Sequence, residues 1–299
     1  MRKIVFLLLP GLHLLDLAGP AQVFSTLSGL DRPVELHHVA DLPEVPTAQG
    51  IGLRAATDWP RPGPDDLVLV PGWRTDGPAP RITPEQAGAL AAHHAAGGTV
   101  ASVCSGAFAL ALAGLLDGRR CTTHHSLQDE LARRYPRARV VPDVLHVSDD
   151  RVVTSAGIAS GIDLALYLVT RWHGPSVAAS VAREMVVYAR RNGDESQASA
   201  MLRYRSHPVD VVHRVQDTVD ARFTETLRLS ELAASAGVSE RTLTRAFTSA
   251  TGLTPLRYQQ RLRAERAEQL IGAGWTVESA ARAAGFQDAR MLRRLRTRS

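Results

Sequence analysis

Residues 98–111 read Gly98-Thr-Val-Ala-Ser-Val-Cys-Ser-Gly-Ala-Phe-Ala-Leu-Ala111. A β-branched apolar run passes within a few residues into a run of small helix-forming residues, which predicts a strand, a sharp turn at Cys104 and a helix. Strand and helix patterns alternate in this way through the first two thirds of the chain. Such alternation indicates a flavodoxin-like parallel sheet sandwiched between layers of helices.

The other elements of this α/β region follow from the same two periodicities. Strands are predicted at residues 4–9, 34–40, 66–70, 98–103, 139–141, 144–147 and 151–154. Helices are predicted at residues 84–96, 107–116, 162–172 and 176–191. The polar segment that begins at Asn192 carries no apolar period, so we predict a first domain over residues 1–191, a linker over 192–207 and a second domain over 208–299.

Charge is unevenly distributed between these regions. Residues 208–299 carry 15 arginines and 10 acidic residues, whereas the charges of residues 1–207 cancel. An excess of this sign suits a partner made of phosphates, and a solubilising surface is the alternative. Two cysteines form neither a disulfide framework nor a metal-ligand spacing, and the apolar start of the chain ends at Pro10, as a buried strand would. We therefore expect a cytoplasmic protein without cofactor, metal site or membrane span.

The second domain is predicted to be all helical. A helix over residues 231–236, a turn at Gly237 and a helix over 240–250 capped by Ser239 form one helix-turn-helix unit. A helix over 255–271 follows. The arrangement then recurs, with a helix over 277–284, a turn at Gly285 and a helix from Asp288 onward.

The helix over residues 240–250 has the two faces that a recognition helix needs. Leu243, Ala246 and Phe247 recur at helical spacing and form an inward stripe. The outer face carries Arg241, Thr244 and Arg245, and arginine is the commonest bidentate reader of guanine. A single unit of this kind equally fits a helical hairpin with solvated arginines, but the tandem repeat favours DNA binding.

The second domain resembles the AraC/XylS family through Leu232-Ala-x-x-Ala-Gly-Val-Ser239, Gly252-Leu-Thr-Pro-x-x-Tyr258, Arg261-Leu-Arg-x-x-x-Ala267 and Ala284-Gly-Phe286. The resemblance implies two recognition helices that enter successive major grooves. It places DNA contacts on Ser239, Arg241, Thr244, Arg245, Arg290, Arg293 and Arg294. Where the family continues through an aromatic residue into a last helix, this chain has Arg296 and ends, so we expect a truncated, loosely packed second unit and specificity carried mainly by the first.

Cys104 is the candidate reactive residue of the first domain. At a turn between strand and helix, the N–H groups and dipole of the helix start favour a thiolate. Asp16, expected in the loop after the first strand, and His124 or His125 could complete a site for nucleophilic or acid–base chemistry. A buried structural cysteine and a surface histidine are the alternatives.

The first domain resembles the class I glutamine amidotransferase-like superfamily, in its ThiJ/PfpI branch and the GlxA-like regulators. The resemblance is carried by Asp16-Leu-Ala-Gly-Pro-x-x-Val-Phe24, Pro71-Gly72, Cys104-Ser-Gly-Ala-Phe108, Thr122-Thr-His124 and Thr154-Ser-Ala-Gly157. An isonitrile hydratase of this branch uses a cysteine and an aspartate that match Cys104 and Asp16. The typical His-Trp pair reads His124-His125 here, and the His-x-Glu pair of an amidotransferase is not evident.

The two resemblances together predict a transcription regulator that is not an enzyme and binds promoter DNA. Its first domain is expected to sense a small-molecule effector or to mediate dimerisation, with a homodimer and RNA polymerase as further partners. Two alternatives stay open. One is a lyase or hydrolase using Cys104 with an accessory DNA-binding domain, and the other is an interaction module with an inert pocket.

Overall fold

The chain forms two compact units, Met1–Gln197 and Ala198–Ser299. The computed structural model describes residues 1–77, 82–187, 191–197, 203–272 and 274–296. The division falls inside the predicted linker, so residues 192–197 belong to the first unit. Among the helices of the described ranges, none is long and apolar enough to cross a membrane.

The first unit is an α/β domain. Its strands are β1 (Arg2–Leu7), β2 (Val34–Val39), β3 (Glu44–Pro46), β4 (Gly52–Arg54), β5 (Leu67–Val70), β6 (Thr99–Val103), β7 (Arg120–Cys121), β8 (Arg139–Val140), β9 (His146–Asp149) and β10 (Val152–Ser155). Its helices are α1 (Leu14–Ser28), α2 (Pro84–Ala95), α3 (Ala107–Leu112), α4 (Gln128–Arg134), α5 (Ser160–His173) and α6 (Pro175–Glu184).

The main sheet has the order β2-β1-β5-β6-β10-β9. The five neighbouring strands from β2 to β10 in this order are parallel, which confirms the flavodoxin-like sheet. The prediction of a wholly parallel sheet is wrong at one edge, because β9 runs antiparallel to β10 there. Only Asp150 and Arg151 separate the two strands, both with positive φ (44° and 60°), and a two-residue turn of this kind joins antiparallel strands.

Several predicted elements differ in extent or partner. Residues 139–141 contribute β8, which pairs with β7 outside the main sheet. The helix predicted over 107–116 ends at Leu112, and the one predicted over 176–191 gives α6, which ends at Glu184. Residues 188–190 of that prediction lie outside the described residues. Helix α1 has no counterpart among the predictions, because Gly19 and Pro20 interrupt its helical pattern.

Helices cover both faces of the main sheet. Ile4, Phe6 and other side chains on one face pack in a cluster with residues of α1, α5 and α6. Val5, Leu7 and other side chains on the opposite face pack with residues of α2, α3 and α4. Because successive residues of a strand point to opposite faces, the apolar runs serve both clusters.

The second unit contains helices and no strand among its described residues, as predicted. Its helices are α7 (Asp210–Arg222), α8 (Leu229–Ser235), α9 (Glu240–Thr251), α10 (Pro255–Gly272), α11 (Val277–Ala283) and α12 (Ala289–Arg296). The pairs α8–α9 and α11–α12 are the two helix-turn-helix units. Gly237 and Gly285 turn the chain between the helices with φ of 69° and 87°, a left-handed conformation that glycine adopts more readily than other residues. Residues 297–299 of the predicted domain lie outside the described residues.

The two helix-turn-helix units have different cores. The first packs Leu243, Phe247, Tyr258 and three valines of α7 into one cluster, with the Phe247 and Tyr258 rings 5.6 Å apart. The second cluster has seven buried residues, of which four are alanine and the largest is Phe286. Fewer apolar atoms are therefore buried in the core of the second helix-turn-helix unit than in the core of the first.

Candidate functional site

A buried site lies where the carboxyl ends of three parallel strands meet. Cys104 follows β6, Gly72 follows β5, and Asp16 lies in the first turn of α1, which follows β1. The strand order reverses between β1 and β5, and ligands of open α/β sheets bind in the crevice at such a switch point. Sequence reasoning placed Asp16 in a loop, whereas the structure places it in α1, the helix that was not predicted.

Cys104 adopts the sharp turn that the sequence predicted. Its φ is 55°, a left-handed conformation that is uncommon for residues other than glycine. Two glycines allow the chain to pack closely around this turn. Gly157 packs against Cys104 so closely that a methyl group there would overlap the cysteine Cβ and lie 2.9 Å from Sγ. Gly106 likewise lies against the carbonyl of Val70. The surroundings therefore fix the position of the thiol.

Asp16 is fully buried and only partly hydrogen-bonded. Its Oδ2 accepts a hydrogen bond from the Gly72 N–H at 3.1 Å, while Oδ1 has no partner among the described residues. Burial raises the pKa of Asp16 to about 7, and the Gly72 N–H opposes that rise. Near neutral pH this carboxyl therefore exists as a mixture of its protonated and ionised forms.

The side chains of Asp16 and Cys104 border the same small space. A methyl group at Gly72 would lie 2.5 Å from Asp16 Oδ2 and 2.7 Å from Cys104 Cβ. Burial, and secondly the Asp16 carboxylate, raises the pKa of Cys104 to about 12. Hydrogen bonds from Ser105 act in the opposite direction, as the sequence predicted for a helix start, but burial outweighs them. The expectation of a thiolate is thus corrected, because in this structure the thiol is neutral near pH 7.

His124 does not bond to the thiol. Its Nδ1 lies 2.8 Å from Ser126 Oγ, its ring is 4.2 Å from that of His125, and no hydrogen bond within the described chain joins either ring to Cys104. Burial, and secondly the charges of His125 and His13, lowers the pKa of His124. Of the predicted site residues, the structure brings together Asp16 and Cys104, and His124 forms no hydrogen bond with either of them in the described residues.

Sequence reasoning missed the residues whose hydrogen bonds hold the backbone around Cys104. Ser105 Oγ accepts from the Trp73 N–H (2.7 Å) and donates to the Trp73 carbonyl (2.9 Å). Thr123 donates from Oγ1 to the Cys104 carbonyl (2.7 Å), and its own carbonyl accepts from Gln197 Nε2 (2.9 Å). Gln197 is the last residue of the first unit. These contacts join strands and segments distant in sequence, so no local pattern reveals them.

The arrangement suits proton exchange with a small polar ligand. Asp16 can give or take a proton near neutral pH, and its unpartnered Oδ1 can accept or donate a hydrogen bond. The neighbouring thiol becomes a nucleophile only after it loses its proton. No cluster of three metal-ligating side chains occurs in the described ranges.

The surface of α9 is the second candidate site. Ser239 caps the helix, because its side chain accepts from the Thr242 N–H at 3.2 Å. Arg241 and Arg245 are exposed and Thr244 is half-buried, while Leu243 and Phe247 are fully buried on the other side. Neither guanidinium has a hydrogen bond or ion pair in the part of the chain that the structure describes. The predicted inward and outward faces are therefore confirmed, and the DNA contacts stay predictions.

Two exposed arginines of α12, Arg290 and Arg293, have partners within the second helix-turn-helix unit. Arg293 Nη2 donates to Glu278 Oε1 of α11 at 2.7 Å. Arg290 Nε lies 3.8 Å from Asp288 Oδ2. Arg294 is not free of interactions either. Any DNA contact by these residues competes with contacts inside the protein.

Comparisons with known proteins agree with this two-part structure. The DJ-1/PfpI family matches residues 2–171, and a helix-turn-helix domain family matches residues 232–298. The HTH-type transcriptional regulator GbdR of Pseudomonas aeruginosa is 30% identical over 279 residues, which cover 90% of this chain and 74% of GbdR. The isonitrile hydratase of Pseudomonas putida is 34% identical over 186 residues, which cover 61% of this chain and 77% of that protein.

A solved structure supports the fold of the first unit. The crystal structure of an AraC family transcriptional regulator from Pseudomonas putida has a TM-score of 0.55 at 23% identity, covering 62% of this chain and 100% of that chain. The chain therefore belongs to the DJ-1/PfpI family, and within it to the HTH-type transcriptional regulators, in which an AraC-type helix-turn-helix domain accompanies the α/β domain.

Proposed function

We propose that this protein regulates transcription by binding double-stranded promoter DNA through α9 and α12, under the control of a ligand at the Asp16–Cys104 site. The observation that carries the proposal is the α9 surface. Arg241 and Arg245 lie exposed on one face of a helix whose other face is locked into a core. A guanidinium without an internal partner can donate two hydrogen bonds to a guanine in the major groove.

In vitro selection from random duplexes, beginning with the DNA that flanks the protein's own gene, tests the binding step. We expect the full-length protein to enrich one sequence and to bind it far more tightly than random competitor. Arg241→Ala and Arg245→Ala should each weaken that preference. Arg183→Ala, which removes the same charge from an exposed position of α6, is the matched control and should keep it. Equal binding to all fragments would contradict the proposal.

A ligand-sensing role for the first unit is supported by the contacts behind Cys104. The Cys104 carbonyl bonds to Thr123, and the Thr123 carbonyl bonds to Gln197, where the chain leaves the first unit. A ligand that shifts Cys104 can therefore alter the start of the segment that leads to the second unit. We expect Cys104→Ala to change promoter-reporter output. Cys121→Ala, at another buried free cysteine, should not change it. Identical output from both variants would reject the sensing role.

The proposal also includes cytoplasmic action, a homodimer on a pseudo-palindromic site and contact with RNA polymerase. Sedimentation of the protein with and without its selected duplex measures the stoichiometry. Two chains on one duplex are expected. A single chain on the complete selected duplex would remove the dimer from the proposal.

An enzymatic first unit is the second candidate. It is favoured by the strained turn at Cys104 beside buried Asp16, together with the similarity to an isonitrile hydratase. Incubation of purified protein with an aliphatic isonitrile tests it. Product formed by the wild type and by Cys121→Ala, but not by Cys104→Ala, would favour a lyase. Absence of turnover in all three would reject this activity.

A further inference from the structure

The two helix-turn-helix units are joined by more than the long helix α10. Residues 223–225, which lead from α7 toward α8, are held by two side chains of α10. Gln259 Nε2 donates to the carbonyls of Phe223 (2.9 Å) and Glu225 (2.7 Å). Arg263, one turn later, donates from Nε to the Phe223 carbonyl (2.6 Å) and from Nη2 to the Glu225 carbonyl (2.5 Å). Four hydrogen bonds thus fix a three-residue segment that contains no regular secondary structure.

The other side of this segment meets the second helix-turn-helix unit. A methyl group at Gly285 would overlap the Thr224 carbonyl and lie 2.7 Å from its Cα. Gly285 is the turn residue between α11 and α12, and the next residue, Phe286, is buried in the second core. The backbones of Thr224 and Gly285 therefore touch without an intervening side chain. We call residues 223–225 the brace. The brace connects the first helix-turn-helix unit, α10 and the turn of the second helix-turn-helix unit.

The partners of Arg263 distinguish it from an ordinary surface arginine. It is half-buried, burial lowers its pKa, and no carboxylate pairs with it among the residues that the structure describes. Its hydrogen bonds to Phe223 and Glu225 both go to backbone carbonyls. The planar fork of a guanidinium can bond two carbonyls at once, which the single ammonium of lysine does less well. The chemistry of this contact thus suits fixing a backbone position.

We propose that Arg263, assisted by Gln259, is a positioning residue that holds the brace rigid and thereby sets the spacing between the two base sequences read by α9 and α12. This inference rests on the proposed function, because it concerns how the same DNA is read. Two helices that enter successive major grooves on one face must lie about 34–36 Å apart along the duplex, which is one helical turn. One inserted base pair moves the second site by about 3.4 Å and rotates it by about 34°. A rigid pair of units cannot follow that change, whereas a flexible pair can.

Binding of full-length variants to spaced duplexes tests this. The selected operator of the wild type is compared with the same operator carrying one base pair more between the sequence read by α9 and the sequence read by α12. A third duplex keeps only the sequence read by α9, which is the first part. We expect the insertion to weaken wild-type binding by at least about tenfold, the effect of losing one good base contact or more. For Arg263→Ala the loss should shrink to less than about threefold, while affinity for the first part alone stays unchanged.

Three further variants separate positioning from stability. Arg266→Ala is the matched control, because its guanidinium bonds to Gln269 of its own helix (3.4 Å), and it should keep the wild-type pattern. Arg263→Lys should lie between wild type and Arg263→Ala. If thermal unfolding shows that Arg263→Ala is not folded, Arg263→Lys and Gln259→Leu are compared instead, and both should tolerate the inserted base pair better than wild type.

Unchanged discrimination of spacing in the folded variants would overturn the proposal, as would a wild type that is indifferent to the insertion. Failure of the proposed function gives a different result, since the wild type would then select no sequence from the random pool.

Discussion

The Asp16–Cys104 site lies inside its domain and suppresses charge, whereas the α9 surface lies outside and displays it. Burial raises the pKa values of both Asp16 and Cys104, so that neither is fully ionised near neutral pH. The guanidinium groups of Arg241 and Arg245 are exposed to solvent, with no internal partner in the described structure. A buried titrating group responds to pH and little to salt, while exposed charges respond to salt and little to pH. The comparison therefore predicts separate responses of the two regions.

Salt should produce the largest effect. Each phosphate neutralised by an arginine releases counterions, so affinity falls steeply with salt concentration. With six or more phosphate contacts, affinity for the selected duplex should fall by about 10³-fold or more between 50 and 200 mM salt. Fluorescence anisotropy over a salt series measures the slope. Unfolding of the first unit, followed in parallel, should hardly move over this range. An affinity that does not change with salt concentration would contradict the description of α9 as an exposed, charged surface that binds phosphates.

The pH dependence of folding tests the buried side. The pKa of Asp16 is about 3.8 in the unfolded chain, and burial raises it to about 7 in the folded one. Between these values the folded state binds more protons, so the free energy of unfolding falls as pH rises, by up to about 4 kcal/mol in total, and levels off above pH 7. Asp16→Asn should remove most of this slope and should be the more stable protein at pH 8.

Urea unfolding at several pH values measures that slope. Asp129→Asn, at an exposed position of α4, is the control and should retain the wild-type profile. If Asp16→Asn and wild type showed parallel profiles, Asp16 would titrate normally and the buried site would not suppress its charge.

Individual arginines should have smaller effects, and the two recognition helices should differ. Arg241→Ala or Arg245→Ala should each cost about 1–3 kcal/mol of binding free energy and relax preference at one base pair. Arg293→Ala should cost less than about 1 kcal/mol, because Arg293 must first leave Glu278. Binding to duplexes with single base changes measures both quantities. An equal cost at Arg293 and Arg241 would show that the pairing with Glu278 does not matter.

The sequence predicted α9 well because its signals are local. Ser239 as cap, Gly237 in the turn and the stripe from Leu243 to Phe247 all lie within eleven residues, and the structure confirms each. Cys104 at a strand-to-helix turn is equally local. For these features the helical or strand period contains the needed information.

Features that depend on tertiary contacts were missed or wrong. The neutral state of Cys104 results from burial against Gly157 and Asp16, which come from other parts of the chain. Helix α1 escaped prediction because Gly19 and Pro20 argue against a helix, whereas packing against α5 stabilises it. The pairing of Arg293 with Glu278 depends on how α12 lies beside α11, which spacing alone does not fix.

The Glu278–Arg293 pair also permits the smallest and most specific test of the difference between the recognition helices. Both side chains are more than half exposed, and such surface pairs contribute about 0.2–1 kcal/mol. Glu278→Gln should therefore raise affinity for the selected duplex by up to about fivefold, because Arg293 loses its ion pair with Glu278 and one repulsive charge near the phosphates is removed. Glu130→Gln breaks a comparable surface pair with Arg134 in the first unit and should leave DNA affinity unchanged. A rise that also appears in Glu278→Gln/Arg293→Ala would assign the effect to the removed charge alone, so the double variant decides whether α12 holds a restrained base-reading arginine.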